Sequence, residues 1–352
     1  MANLRYAAYR AGLEALYFSG AHHALRALFG GVGAIFTLHH VRPPRADAFQ
    51  PNRILEIEAE FLDRVIVRLR HRGLDIVSLD EVWRRLTERD FSRQFVAFTF
   101  DDGYRDNLEH AWPVLQRHGV PYALYIATSF PDRLGELWWV ALERVVAKTG
   151  RIVIEIDGAT RFFNCADIGG KRRTFGEIYW WLRSIKDDAE LRRVVRDLCA
   201  RYGIDVKAPC GELCMNWSEI ARLAEDPLCT IGAHTINHVF LTKVSEDVAR
   251  AEMGRSAEVI EDALGRSPEH FAYPYGDAGS ASRREFALAK ELGFKTAVTT
   301  RPGVITRAHG NHLTALPRIS LNGNFQAVRY VDVLISGAPF AFSGRAGRAD
   351  AA

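Results

Sequence analysis

Apolar positions along the chain fall into two kinds of run that alternate. Short, nearly unbroken stretches at residues 33–41 (GAIFTLHHV), 94–100 (QFVAFTF) and 121–128 (PYALYIAT) have the length and density of strands covered on both faces. Between them, residues 58–73 place apolar side chains every three or four positions and end on Gly73, the pattern of a helix with a glycine C-cap. A short strand at DIVSL, a helix from Asp80 to about Arg89 and a helix from about Asn107 to His118 continue the rhythm. It resumes after residue 215 with CTIGAHT (229–235), a helix over 245–264, HFAYPYG (270–276), a helix over 282–292, KTAVTT and LPRISL. Strand–helix alternation of this kind predicts a parallel α/β fold, in which functional residues gather at the carboxyl ends of strands.

Three segments stand outside the rhythm. Residues 1–32 repeat Leu13, Leu16, Tyr17, Leu25, Leu28 and Phe29 at helical spacing and carry more Arg than Glu. They read as an amphipathic helical segment that packs on the domain, with peripheral membrane contact as the alternative. Residues 130–215 are mostly helical with one strand-like piece, RIVIEID, and form an insertion into a domain spanning 33–335. Its tryptophans Trp138, Trp139, Trp180 and Trp181 are expected in the core rather than stacked on sugars. The Gly-, Ala- and Arg-rich stretch 336–352 reads as a disordered tail.

Composition narrows the class. The 352 residues are 48% hydrophobic and 25% charged with a net charge of +3, ordinary for a globular protein and too weakly basic to suggest nucleic acid. Five irregularly spaced cysteines and the lack of a compact apolar leader point to free thiols and a cytoplasmic protein, peripheral to the inner membrane face in the alternative reading. Cys210 and Cys214 lack a matching second pair, so a structural zinc site there is disfavoured.

The chemistry collects at three strand ends, which carry His39 and His40, Asp101 and Asp102, and His234 with His238. In a parallel sheet all three point to one face. HTINH spaces two histidines so that both can face one point, and one aspartate completes a site for Zn²⁺ or another late divalent ion, Co²⁺ or Ni²⁺. The remaining carboxylate can act as a general base on water, and His39 or His40 can protonate a departing amine. Each piece alone has a bland explanation: an Asp pair often caps a helix, and HxxxH often lies on a solvated face.

Taken in order, TFDDGYRDN, HTINH and FAYPYGD resemble the motifs of the polysaccharide deacetylase family, the NodB-homology or carbohydrate esterase 4 enzymes, over roughly residues 33–325 apart from the insertion. The resemblance implies an irregular (β/α) barrel of about seven strands that removes N-acetyl groups from N-acetylglucosamine-containing glycans, with a divalent metal. It also implies roles: Asp101 as base, Asp102, His234 and His238 as metal ligands, and the Tyr275 N–H as oxyanion donor. Two departures stand out. Ala272 occupies the place of a family arginine that orients the base, for which Arg318 of LPRISL is the candidate replacement. The usual C-terminal acid histidine has no counterpart. FTLHHV instead resembles the element that carries it in the circularly permuted exopolysaccharide-deacetylase branch, making His39 the acid and His40 the runner-up. The alternative function is a catalytically degenerate glycan-binding protein of the same fold.

Overall fold

The computed structural model describes the backbone of residues 2–341 and side chains from Tyr6 onward. Its centre is a closed barrel of seven parallel strands: β1 (Gly33–Leu38), β2 (Phe95–Phe100), β3 (Tyr122–Ile126), β4 (Cys229–Ala233), β5 (His270–Ala272), β6 (Thr296–Pro302) and β7 (Leu316–Ser320). Neighbours in sequence are neighbours in space, and the ring closes where β1 pairs with both β2 (Phe36↔Phe98) and β7 (Phe36↔Ile319). The expected irregular (β/α) barrel is therefore what the chain forms.

Burial on both faces explains the unbroken apolar runs. Every residue of β1, β2 and β3 is buried. Alternate side chains divide between two cores. Ile35, Phe95, Ala97, Ala123, Tyr125, Ala272, Val298 and Leu316 fill the barrel. Phe36, Val96, Phe98, Phe100, Leu124 and Ile126 meet the surrounding helices. Thr99, the one polar break in the β2 run, points inward and donates to the Phe36 carbonyl at 2.7 Å.

The helices appear where periodicity places them, at Ala59–His71, Leu79–Glu88, Glu246–Leu264 and Arg283–Glu291. The helix expected from about residue 107 opens with a wide π turn, Asn107–Ala111, before Trp112–His118. Between β3 and β4 the chain builds a second core from the Trp138–Lys148, Ile168–Ser184 and Asp188–Arg201 helices and the antiparallel hairpin Arg151–Ile156/Ala159–Asn164. Trp138 and Trp139 are buried there and Trp181 is half-buried, whereas Trp180 is 65% exposed. All five cysteines are buried free thiols.

The N-terminal segment forms two helices, Ala2–Phe18 and Ala21–Phe29. Leu13 is buried and the Glu14 carboxylate receives Arg329 at 2.7 Å, which fastens the first helix to Val328–Ile335. The second departs from the periodic expectation: its buried residue is His22, and Leu28 stays exposed. Among the described residues no helix is long and apolar enough to cross a membrane. The stretch expected to be disordered from 336 differs at its start, because Ala338–Ala341 is a helical turn with Phe340 buried. The rest of that stretch lies outside the described residues.

Candidate active site

At the carboxyl ends of the strands, β2 runs out into the two aspartates. Asp101 continues the inward alternation of Ala97 and Thr99 and is 2% exposed. Inside the barrel it meets Arg318 of β7, whose two terminal nitrogens each donate to one of its oxygens at 2.7 Å. The same guanidinium reaches Thr99 Oγ1 at 3.0 Å and the Thr299 carbonyl at 2.8 Å. Burial pushes the Asp101 carboxyl up, but the Arg318 charge and hydrogen bonds outweigh it and hold the group below the usual carboxylate range. Ala272 sits on the barrel wall with only a methyl group to offer, and Arg318 reaches Asp101 from β7, two strands away across β1.

Asp102 turns the other way because its backbone is left-handed, with φ at 72°. Thr235 (φ 64°), His238 (φ 54°) and Tyr275 (φ 61°) share that conformation, so four of the seven such non-glycine residues described surround one site. A left-handed β-branched threonine is held only by strong surroundings, and strain of this kind clusters where geometry serves function. Here the surroundings are explicit. Thr235 Oγ1 accepts from the His238 N–H at 3.0 Å. Glu252 accepts from the Ile236 and Asn237 N–H groups, both at 2.9 Å. Arg192, paired with Asp188 at 2.7 Å, donates to the Asn237 and His238 carbonyls at 2.8 and 3.1 Å.

The result is a compact donor set. Asp102 Oδ1 lies 3.4 Å from His234 Nε2 and 3.3 Å from His238 Nε2. Ligands bonded at about 2.0–2.1 Å to a tetrahedral ion stand about 3.3–3.4 Å apart, so these three residues fit a divalent metal. Asp102 Oδ1 is buried with no hydrogen-bond partner, which leaves its lone pairs open to an ion. His234 Nδ1 is 2.6 Å from the Ala272 carbonyl, which fixes the ring with Nε2 unprotonated and turned to the site. Burial lowers the His238 pKa and so favours the neutral, ligating imidazole. Burial likewise pushes the Asp102 carboxyl up, but His238 and His234 together hold it well below the ordinary range.

His39 and His40 part company. His39 leaves β1 with Nε2 at 3.9 Å from Asp101 Oδ2 and its side chain 21% exposed, and burial lowers its pKa. His40 is buried, stacked on Tyr104 at 3.6 Å, with Nδ1 at 2.6 Å from Asp106. The geometry thus brings Asp101, Arg318, His39, Asp102, His234 and His238 together and leaves His40 facing a different carboxylate. Tyr275 stands at the rim, its ring 4.7 Å from His238 and flat against Phe240 at 3.5 Å, its hydroxyl accepting from Trp138 Nε1 at 2.6 Å. Its N–H has no acceptor among the described residues.

Sequence reasoning missed Glu252, Arg192 and Asp188, which hold the histidine loop from helices on two sides. Nothing marks them in the sequence beyond being charged residues on otherwise ordinary helices. Only their burial, at 8%, 9% and 3% exposure, sets them apart.

A closed parallel barrel whose mouth gathers these carboxylates, histidines and an arginine has the residues of a hydrolytic site, with a donor set that a divalent ion would fit. Comparison with known proteins names the family: the polysaccharide deacetylase model matches residues 88–155 and 195–297, and the chain belongs to that family. A curated relative, chitin deacetylase 1 of Cryptococcus neoformans, is 36% identical over 70 residues, which are 20% of this chain and 14% of that protein's length. The Streptococcus pyogenes deacetylase PplD, solved with acetate, shares the fold with a TM-score of 0.56 at 17% identity, covering 85% of this chain and 95% of that one. IcaB from Ammonifex degensii does so with a TM-score of 0.53 at 17% identity, over 86% and 97%.

Proposed function

We propose that the protein is a metal-dependent hydrolase that removes N-acetyl groups from an N-acetylglucosamine-containing oligo- or polysaccharide, free or lipid-linked, releasing acetate and a free amino sugar. The observation that carries this reading is the division of labour between adjacent aspartates: Asp101 is held ionised by a bidentate arginine, and Asp102 is turned toward two histidines.

Asp102, His234 and His238 would hold the ion, with zinc the best match to two imidazoles and one carboxylate and cobalt or nickel as substitutes. A divalent ion bound there supplies Lewis acidity that polarises the acetyl carbonyl and acidifies water. Asp101 accepts the proton of the attacking water, and Arg318 keeps it ionised and aimed. The Tyr275 N–H donates to the oxygen on which charge develops. His39, 3.9 Å from Asp101 and partly open to solvent, gives a proton to the departing nitrogen, so that acetate and amine leave in balance. Buried in the barrel mouth, these charges act in a medium where they are worth more than in water.

Acetate release from chitooligosaccharides tests the reading, measured on chelator-stripped protein with and without added Zn²⁺ or Co²⁺ and beside Asp101→Asn. Release that needs both metal and Asp101 supports it. Release by Asp101→Asn at the wild-type rate removes Asp101 as base. Bound glycan without any release moves the weight to the degenerate binder.

A further inference from the structure

We propose that Trp180, with Arg183 and Asp277, forms a stacking subsite for a neighbouring, uncharged sugar unit of the same glycan. This rests on the deacetylase reading above and extends it to substrate length.

Trp180 lies on the Ile168–Ser184 helix. Phe175, Ile178 and Leu182 of that helix are buried, and Tyr179 stacks on Trp138 at 5.2 Å. Glu177, Trp180 and Ser184 form the exposed stripe, where a tryptophan contradicts the pattern of the rest of the helix. Places where a sequence breaks its own pattern are where function is to be sought. A single exposed apolar residue needs no explanation by itself. This one is joined to the site.

Arg183 makes the join. Its guanidinium carbon lies 5.3 Å from the Trp180 ring centre, 5.3 Å from Phe240 and 5.4 Å from Tyr275, whose ring is 4.7 Å from His238. The guanidinium also pairs with Asp277, two residues past Tyr275, and the Arg183 carbonyl accepts from Lys243 at 2.6 Å. Trp180 is therefore an aromatic platform pinned to the rim formed by Tyr275 and Phe240. A pyranose presents C–H bonds on its face and hydroxyls and an acetamido group at its edge. An indole face with a guanidinium and a carboxylate beside it offers the matching apolar plane, donors and acceptor. Asp277 neutralises Arg183, which suits an uncharged sugar rather than an acidic one.

The residues matched to the family pass from 155 to 195, so Trp180 and Arg183 stand on a stretch outside them. Residues there are placed to set which glycan this chain takes, apart from the shared chemistry.

The test uses N-acetylglucosamine dimer and pentamer as probes. Acetate release is measured for wild type, Trp180→Ala, Trp180→Phe and, as a control, Phe18→Ala on the N-terminal helix, an aromatic 76% exposed whose ring meets Tyr17. Calorimetric binding of the pentamer is measured in the Asp101→Asn background. Trp180→Ala should raise KM for the pentamer by about three- to tenfold with kcat retained, and weaken binding by the same factor. Trp180→Phe should recover most of the loss, and the control variant should change neither quantity. Unchanged pentamer KM and binding in Trp180→Ala overturns the subsite while leaving the deacetylase intact. Trp180-dependent binding without acetate release from any probe keeps the subsite and removes the deacetylase. Neither binding nor release in wild type removes both.

Discussion

Replacing Arg318 by alanine is the most informative single perturbation of this molecule. It strips Asp101 of two charge-assisted hydrogen bonds of 2.7 Å and of its counter-charge, while leaving the carboxylate 2% exposed in the barrel. Breaking a buried ion pair from one side costs about 3–5 kcal/mol, because the remaining charge is left uncompensated. With an unfolding entropy of about 2.1 cal/mol/K per residue over the 352-residue chain, that loss lowers Tm by about 4–7 °C. The group escapes part of the cost by taking a proton. Burial, no longer opposed by Arg318, moves its pKa upward, and the acid limb of the kcat/KM profile moves to higher pH with it. Arg318→Lys keeps the charge but not the planar fork, and should fall between wild type and Arg318→Ala in both Tm and turnover. The assays are thermal unfolding and acetate release across pH, with bound metal quantified in each variant to show that Asp102, His234 and His238 are undisturbed. Turnover, pH profile and Tm all unchanged in Arg318→Ala would refute the assignment of Arg318 as the residue that holds the base.

Asp102→Ala should abolish stoichiometric zinc binding, read by elemental analysis, since it removes the one oxygen donor of the set. Glu252→Ala frees the Ile236 and Asn237 N–H groups and should weaken metal affinity by about 10- to 100-fold without touching a ligand. Equal affinity would mean that the loop holds its shape without Glu252. Away from the site, Asp332 is buried, yet Arg68 and Arg72 hold its pKa below the ordinary carboxylate range. Its contribution is therefore full above that range and lost as pH falls through the folded value. Asp332→Asn should cost about 2 kcal/mol at neutral pH, Arg68 being part-exposed, and the gap to wild type in chemical unfolding should close at low pH. A gap that stays constant with pH would locate the loss in packing rather than in charge.

The hydrophobic pattern carried most of the architecture, because strands buried on both faces need unbroken apolar runs and the helices between them need a period near 3.6. Thr99 shows the limit of that reading. In sequence it is a polar interruption in a strand. In the barrel it is the inward residue that meets both the Phe36 carbonyl and Arg318, one step in the alternation before Asp101. His39 and His40 show it again: adjacent in sequence and chemically identical, they are told apart by chain direction after Leu38, which sends one toward Asp101 and the other onto Tyr104 and Asp106.

By itself, then, the sequence determined the alternation of strands and helices, the gathering of Asp101, Asp102, His234 and His238 at strand ends, and the donor types a metal needs. These are local properties, set by side-chain chemistry and by periods of two and 3.6. Tertiary packing decided the rest. Closure of the barrel brought Arg318 across a separation of 217 residues to Asp101. Packing of the segment between β3 and β4 against the barrel set Arg192 opposite Glu252 on a strained histidine loop, and placed Trp180 beside Tyr275 through a single guanidinium. Such contacts join distant parts of the chain and depend on how β1 meets β7 and on what packs over the barrel, which no local pattern states.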